Sequence, residues 1–168
     1  MAIDGDRFRR AMSRFATGIT VVTSREGEAV HGTTVNAFCS VSLEPPLVLV
    51  CLDKATVSHH FIGTGKVFGV NILKSNQEDV AWALSRKGTP DLEAAHQLVG
   101  IPFITKSTGA PIIVGVQAYL DCRVVQTVEA GDHTIYIGLV EDAGWDEAGA
   151  PLVYFRSSYG SYLPKGTE

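Results

Sequence analysis

Along the first fifteen residues the apolar positions Phe8, Ala11, Met12 and Phe15 recur at i, i+3, i+4 and i+7. That spacing predicts an amphipathic helix of the folded domain, with Arg7, Arg9, Arg10 and Arg14 on its wet side. The period then shortens. GITVVTS (18–24) reads as a buried strand opened by Gly18, residues 25–28 as a polar turn, and residues 31–43 as a second strand. Pro45 and Pro46 have no N–H to give a ladder, so pairing is expected to break there. LVLVCL (47–52) is predicted to be buried on both faces, and a short helix over 56–63 follows it. VFGVNIL (67–73) is a further strand, and Ser75 and Glu78 have capping-box spacing ahead of a helix through Ala81, Trp82 and Leu84. Residues 86–112 are loop-rich, with a short helix over 91–98. A long hairpin runs through 114–128 and 132–140 about a turn at Glu129, Ala130 and Gly131, and LVYF (152–155) precedes an aromatic tail. About seven strands without strict βαβ alternation predict one mostly β domain: an antiparallel barrel with a few short peripheral helices.

The second strand carries an unusual face. By alternation Thr34, Asn36, Phe38, Ser40 and Ser42 share one side, and Thr33, Val35, Ala37, Cys39, Val41 and Leu43 the other. A wet face ordinarily carries Lys or Glu, whereas this one offers short neutral donors and acceptors. Such groups suit a polar heteroaromatic ligand or a phosphate without the desolvation cost of a charge. The same groups would also serve to satisfy neighbouring strands or to line a wet sheet edge.

Composition narrows the function classes. At 168 residues, 45% apolar and 19% charged, the chain fits a single globular domain with a real core. A formal charge of −4 argues against nucleic acid as a partner, since that needs a basic face. No apolar run approaches the ~20 residues that cross a bilayer, and the N-terminus lacks an apolar signal region, so no membrane role and a cytoplasmic location are expected. Cys39, Cys51 and Cys122 sit in apolar runs with no paired spacing; they read as small core residues, with no disulfide and no metal expected. Glu93 and His96 stand at an ExxH spacing, but one copy in a loop-rich stretch does not make a metal site. His59 and His60 are too close in sequence to face one metal and read as solvated or cap-adjacent.

FATGITVVTS (15–24), GTTVNAFCSVSLEPPLVLVCLD (32–53), VFGVNIL, GDHTIYIGLV (131–140) and PLVYFRSSYGSY (151–162), in that order, resemble the short-chain flavin reductase family. The resemblance implies an FMN-binding split β-barrel that forms a homodimer and binds FMN or FAD near the dimer interface. It implies an NAD(P)H:flavin oxidoreductase that takes hydride from NADH or NADPH and supplies reduced flavin to a separate oxygenase, as in two-component monooxygenases. By the same resemblance Thr33, Thr34, Asn36, Ala37, Ser40, Val41 and Ser42 contact the flavin ring and ribityl-phosphate arm. Cys51, Leu52 and Asp53 flank the ring, and Ser58 reaches the phosphate at a helix start, where N–H groups favour an anion. Lys54 and Arg156 are lesser phosphate candidates. His133, the histidine of GDH, is implied to face the nicotinamide as a binder or polariser, although a histidine at a turn is commonly just satisfied or exposed. Tyr159 is implied on the nicotinamide side, with a core or dimer contact as its other reading. Residues 90–98, alanine- and charge-rich, depart from the phenylalanine-containing stretch common in that family, which bears on flavin and nicotinamide preference.

The chemistry fits the rest of the chain. Hydride passes from nicotinamide C4 to flavin N5 when the rings stack with the atoms roughly 3–3.5 Å apart, and neutral donors near N1 and O2 stabilise the charge that develops. GxSxG, a phosphate-binding P-loop and GxGxxG are all missing from the sequence, so a Rossmann route to the nicotinamide is not expected. The alternative within the same fold is a non-catalytic flavin- or haem-binding barrel. A purely structural barrel would leave the neutral face unexplained.

Overall fold

The computed structural model describes residues 3–85, 98–162 and 164. In chain order its elements are α1 (Gly5–Met12), β1 (Thr17–Gly18), β2 (Thr20–Glu26), β3 (Ala29–Val35), β4 (Phe38–Leu43), β5 (Pro46–Asp53), α2 (Val57–Gly65) and β6 (Val67–Ile72). Then follow α3 (Glu78–Ala83), β7 (Phe103–Thr105), β8 (Pro111–Ile113), β9 (Ala118–Ala130), β10 (His133–Trp145), β11 (Leu152–Phe155) and β12 (Ser158–Ser161). The helix expected over 91–98, the ExxH pair Glu93 and His96, and most of the 90–98 departure lie outside the described residues.

Seven strands form one antiparallel sheet in the order β3-β2-β6-β9-β10-β5-β4. Its two end strands, β3 and β4, are consecutive in the chain and joined only through Asn36 and Ala37. Two residues cannot span a flat seven-stranded sheet, because strands lie ~4.8 Å apart. The sheet therefore curls until its ends adjoin, giving a barrel split between β3 and β4. Its interior holds Val22, Val50, Phe68, Val70, Cys122 and Tyr136, with Ile62 of α2 closing one end. A second cluster, including Ile19, Val21, Leu73, Leu84 and Ile113, packs between the sheet, α3 and β8. Asn71, fully buried, ties these layers together: its Nδ2 donates to Val21 O at 3.0 Å, and its Oδ1 accepts from Ile113 N at 2.7 Å. Gly138 is required by close approach, since a Cβ there would lie 2.5 Å from Phe68 Cζ.

Several expectations need correction. The predicted strand over 31–43 is two strands, broken at Asn36 and Ala37 and bulged between Ser40 and Ser42. Pro45 and Pro46 do not end pairing. They turn the β4–β5 hairpin, and Pro46 stands opposite Leu43 as the first residue of β5, where a missing N–H is tolerated. The β5 strand is not buried on both faces: Val48, Val50 and Leu52 are buried, while Leu47, Leu49 and Cys51 are only half-buried on the outer face. Helix α1 forms, capped by Asp4 accepting from Arg7 N at 2.9 Å, but no residue of it is buried. Phe8, Met12 and Phe15 are more than half exposed. The capping box does not form: α3 starts at Glu78, with no side-chain cap at Gln77, whose Oε1 accepts from Lys74 N instead. The last element was missed. β12 folds back on β11 through Arg156 and Ser157, both at positive φ (52° and 62°).

Candidate functional site

A cleft of about 340 Å³ opens at the split of the barrel. That volume is at the small end of ligand pockets, enough for a fused ring and part of its tail. One wall is the end of β3 and the connection to β4, contributing Thr33, Thr34, Val35, Asn36 and Ala37. Both faces of the strand reach the cleft because the chain turns there, which is why Thr33 and Thr34 appear together. The opposite wall is the end of β5, Cys51, Leu52 and Asp53, with the start of α2 and His133 above it.

The start of α2 is built to present N–H groups. Thr56 caps it, accepting from His59 N, and no acidic side chain occupies its first turn. The unpaired amides of a first turn suit an anion. Ser58 lies one residue inside and is buried, its Oγ 2.7 Å from His31 Nε2. His31 is itself buried and stacks against Phe61. His31, Thr56 and Ser85 are cleft residues that sequence reasoning missed. Thr56 was visible as a capping residue, whereas His31 carried no signal beyond lying next to Gly32.

His133 opens β10, directly after a turn whose Gly131 adopts φ 64°, a left-handed conformation natural to glycine. It pairs across the sheet with Asp53, so both side chains stand on one face at the cleft mouth. Its Nδ1 lies 2.8 Å from Asp132 Oδ1, and that hydrogen bond holds the Asp132 carboxyl below the usual carboxylate range. With Nδ1 bonded to the carboxylate it carries the proton, which leaves Nε2 for a ligand. His133 does share a face with Ile135, Ile137 and Leu139, as its phase requires. That face is the outer, half-buried one; the barrel interior takes Thr134, Tyr136 and Gly138.

The structure does not bring every candidate together. Ser40, Val41 and Ser42 lie along β4, beyond the cleft walls. Leu52 reaches the cleft only as floor, its side chain in the barrel core. Tyr159 lines a neighbouring groove of about 200 Å³ that shares Thr34, Val35, Asn36 and Ser85 with the first. There it meets Trp82 edge-on at 5.2 Å and Tyr154 at 5.5 Å, and burial pushes its phenol up. Lys54 turns away, bonded to Gly131 O and Glu129. The cysteines separate: Cys122 is buried with its thiol pushed up by burial, as a core residue should be. Cys51 is a half-buried cleft wall, its thiol also raised by burial, and so no ready nucleophile. Cys39 is exposed, against the core expectation.

The donor set fits a flavin: neutral hydroxyls and an amide beside a slot, amides and a buried serine at its phosphate end, and no lysine or arginine among the described residues lining the cleft. Among the described residues no cluster of His, Cys, Asp or Glu could hold a metal, and no helix is long and apolar enough to cross a membrane.

Known proteins share this fold. Residues 12–162 match the flavin reductase like domain. An NADH-dependent flavin reductase of a Rhodococcus species is 39% identical over 156 residues, covering 91% of this chain and 84% of that protein. HsaB of Mycobacterium tuberculosis, the reductase subunit of a flavin-dependent monooxygenase, is 36% identical over 98% of this chain and 86% of its own. The solved structure of the NADH:FAD oxidoreductase SgcE6 of Streptomyces globisporus, in complex with NAD and FAD fragments, superposes with a TM-score of 0.87 at 32% identity over 99% of both chains.

Proposed function

The chain belongs to the flavin reductase like family, and from that premise we propose that it transfers hydride from NADH to a flavin held in the cleft between β3 and β4, for use by a separate oxygenase. It is an NADH-dependent flavin reductase. The observation that carries the reading is the cleft at the split of the barrel, lined by short uncharged side chains with Asp53 and His133 at its mouth.

The flavin, when bound, supplies the redox chemistry. The protein's own groups hold and polarise. Thr33 and Asn36 offer neutral donors on one wall, where hydrogen bonds strengthen as charge develops on the ring, while Thr34 gives its hydroxyl proton to Ala81 O at 2.8 Å and turns only lone pairs to the cleft. The first-turn amides of α2, with Ser58, suit the phosphate arm. FMN and FAD share the ring, the ribityl chain and the first phosphate, which is the part these residues address. In this reading His133 Nε2 binds the nicotinamide carboxamide, supported by the Nδ1 contact with Asp132 that leaves Nε2 toward the cleft, and Tyr159 with Trp82 gives a ring surface in the adjoining groove. NADH over NADPH is supported by the relatives' printed activity. It is supported too by the lack of Lys or Arg among the described residues of both grooves, since a 2′-phosphate calls for such a partner.

The active species in this reading is a homodimer. Leu43 is 95% exposed, and Phe8, Met12 and Phe15 stand over an apolar groove of about 560 Å³ against Phe38 and Leu49. An exposed apolar area of this kind marks an interface, and a two-fold partner is the commonest occupant. Ser40, Val41 and Ser42 belong to that edge. A protein consuming NADH works where that pool is replenished, which supports the cytoplasm.

The test is oxidation of NADH and NADPH by purified protein with FMN, FAD or no flavin added. Flavin-dependent NADH oxidation is expected; no oxidation with any combination would overturn the reading.

A further inference from the structure

The tip of the β9–β10 hairpin carries His133, and it is held from outside the cleft. Lys54, the first residue after β5, donates from Nζ to Gly131 O at 2.9 Å and pairs with Glu129 Oε2 at 2.6 Å. Its backbone N–H donates to Asp132 O at 3.0 Å. On the other side of the tip, Thr134 Oγ1 lies 3.3 Å from Glu129 Oε1 and 2.9 Å from His59 Nε2 on α2.

Proton counting fixes the direction of this chain. A carboxylate only accepts, so Thr134 must give its single hydroxyl proton to Glu129. His59 must then donate from Nε2 to Thr134. The order runs His59 to Thr134 to Glu129, and Lys54 meets the same carboxylate from the other side. The result is a circuit from the end of β5, through both strands of the tip, to His59 in the first turn of α2. Residues 129, 131, 132 and 134 are each held by it; His133 lies between them. None of Lys54, His59, Glu129 and Thr134 lines the cleft. Thr134 is fully buried, and the Lys54 hydrogen bond holds the Glu129 carboxyl below the usual range.

We propose that the circuit of Lys54, Glu129, Thr134 and His59 is a positioning device for His133 that sets the affinity for NADH. The inference rests on the functional reading above. It also withdraws Lys54 from the cofactor-phosphate role, because its ammonium is committed to the tip.

The test is Lys54→Met, which keeps the stem and drops the ammonium, made alone and together with His133→Ala. Alone it is expected to raise the KM for NADH about three- to tenfold, with kcat and flavin Kd within about twofold of the starting protein. Lys54→Arg should restore most of the loss. In the His133→Ala background Lys54→Met should add nothing, because a device that acts through His133 has nothing left to position. Glu129→Gln, which breaks the circuit elsewhere, should behave like Lys54→Met and serves if that variant folds poorly. An unchanged KM, additive effects in the double variant, or a loss confined to flavin binding would overturn the inference and leave the functional reading standing. Absence of NADH oxidation by the unsubstituted protein would overturn both.

Discussion

Ser58→Ala separates the two tasks of one hydroxyl. Ser58 is buried near the start of α2, its Oγ 2.7 Å from His31 Nε2. A hydroxyl has one proton. If Nε2 bears none, Ser58 donates to it and shows only lone pairs to the cleft, which an anionic phosphate would avoid. If Nε2–H donates, the serine proton is released toward the cleft. A phosphate-bearing flavin therefore selects the second arrangement. Removing a hydrogen bond to a charged group costs about 1.5–3 kcal/mol, so FMN binding should weaken roughly 10- to 150-fold. Riboflavin, which lacks the phosphate, should change by no more than about threefold. A separate penalty falls on the fold, because the substitution takes from buried His31 the hydroxyl that its Nε2 bonds. That loss is about 1–3 kcal/mol, or a fall in Tm of roughly 2–12 °C for a chain of this size. Titrations with FMN and riboflavin, followed by flavin fluorescence, and a thermal melt read the two effects independently. Equal weakening of FMN and riboflavin, or intact FMN binding, would refute the assignment of the α2 start to the phosphate.

Three further outcomes follow from the geometry. His133→Ala should raise the KM for NADH about two- to thirteenfold, the worth of one net hydrogen bond, with flavin affinity little changed; steady-state kinetics at varied NADH checks it, and unchanged kinetics would remove the role. Gly138→Ala places a Cβ 2.5 Å from Phe68 Cζ and 3.0 Å from Cys122 Cβ, so overpacking should destabilise the barrel by about 1–3 kcal/mol, read as a lowered urea midpoint at constant m. Leu49→Glu puts a charge on the apolar outer face beside Cys39 and Cys51; light scattering should report a dimer for the unsubstituted chain and a monomer for the variant, and an unsubstituted monomer or a dimer retained by the variant would overturn this interface.

Strand alternation made the barrel legible, and GDH located His133. What stayed hidden were features whose cause lies outside the local pattern. The run LVLVCL looks buried on both faces because all six side chains are apolar, yet Leu47, Leu49 and Cys51 face outward and join no core cluster among the described residues. The helix over Phe8, Met12 and Phe15 was readable from its period, but period cannot say what the apolar side covers. The turn at Asn36 and Ala37 carries neither glycine nor proline, so nothing local announced that the polar face ends there and that Ser40–Ser42 run off along β4. The β11–β12 turn likewise uses Arg156 and Ser157 at positive φ, residues that give no turn signal. Ser58 was found through the resemblance; its buried partner His31 was not, because their contact spans 27 residues of sequence.

The outer sheet face links the two halves of the proposal. The register sets Leu47 opposite Leu139, Leu49 opposite Ile137, Cys51 opposite Ile135 and Asp53 opposite His133. Each pair shares one face, so a single surface passes from aliphatic to polar along two strands and ends at the cleft mouth. A pleated sheet cannot separate these positions: shifting one strand by a residue would turn every one of them inward together. The apolar part calls for a cover, and the polar end calls for a ligand. A second copy seated on the first would therefore stand beside the nicotinamide side of the cleft. That shared parity would put the proposed binding site next to a proposed dimer edge, and it leaves the tip that carries His133 to be held from α2 and the end of β5 rather than from the face His133 lies on.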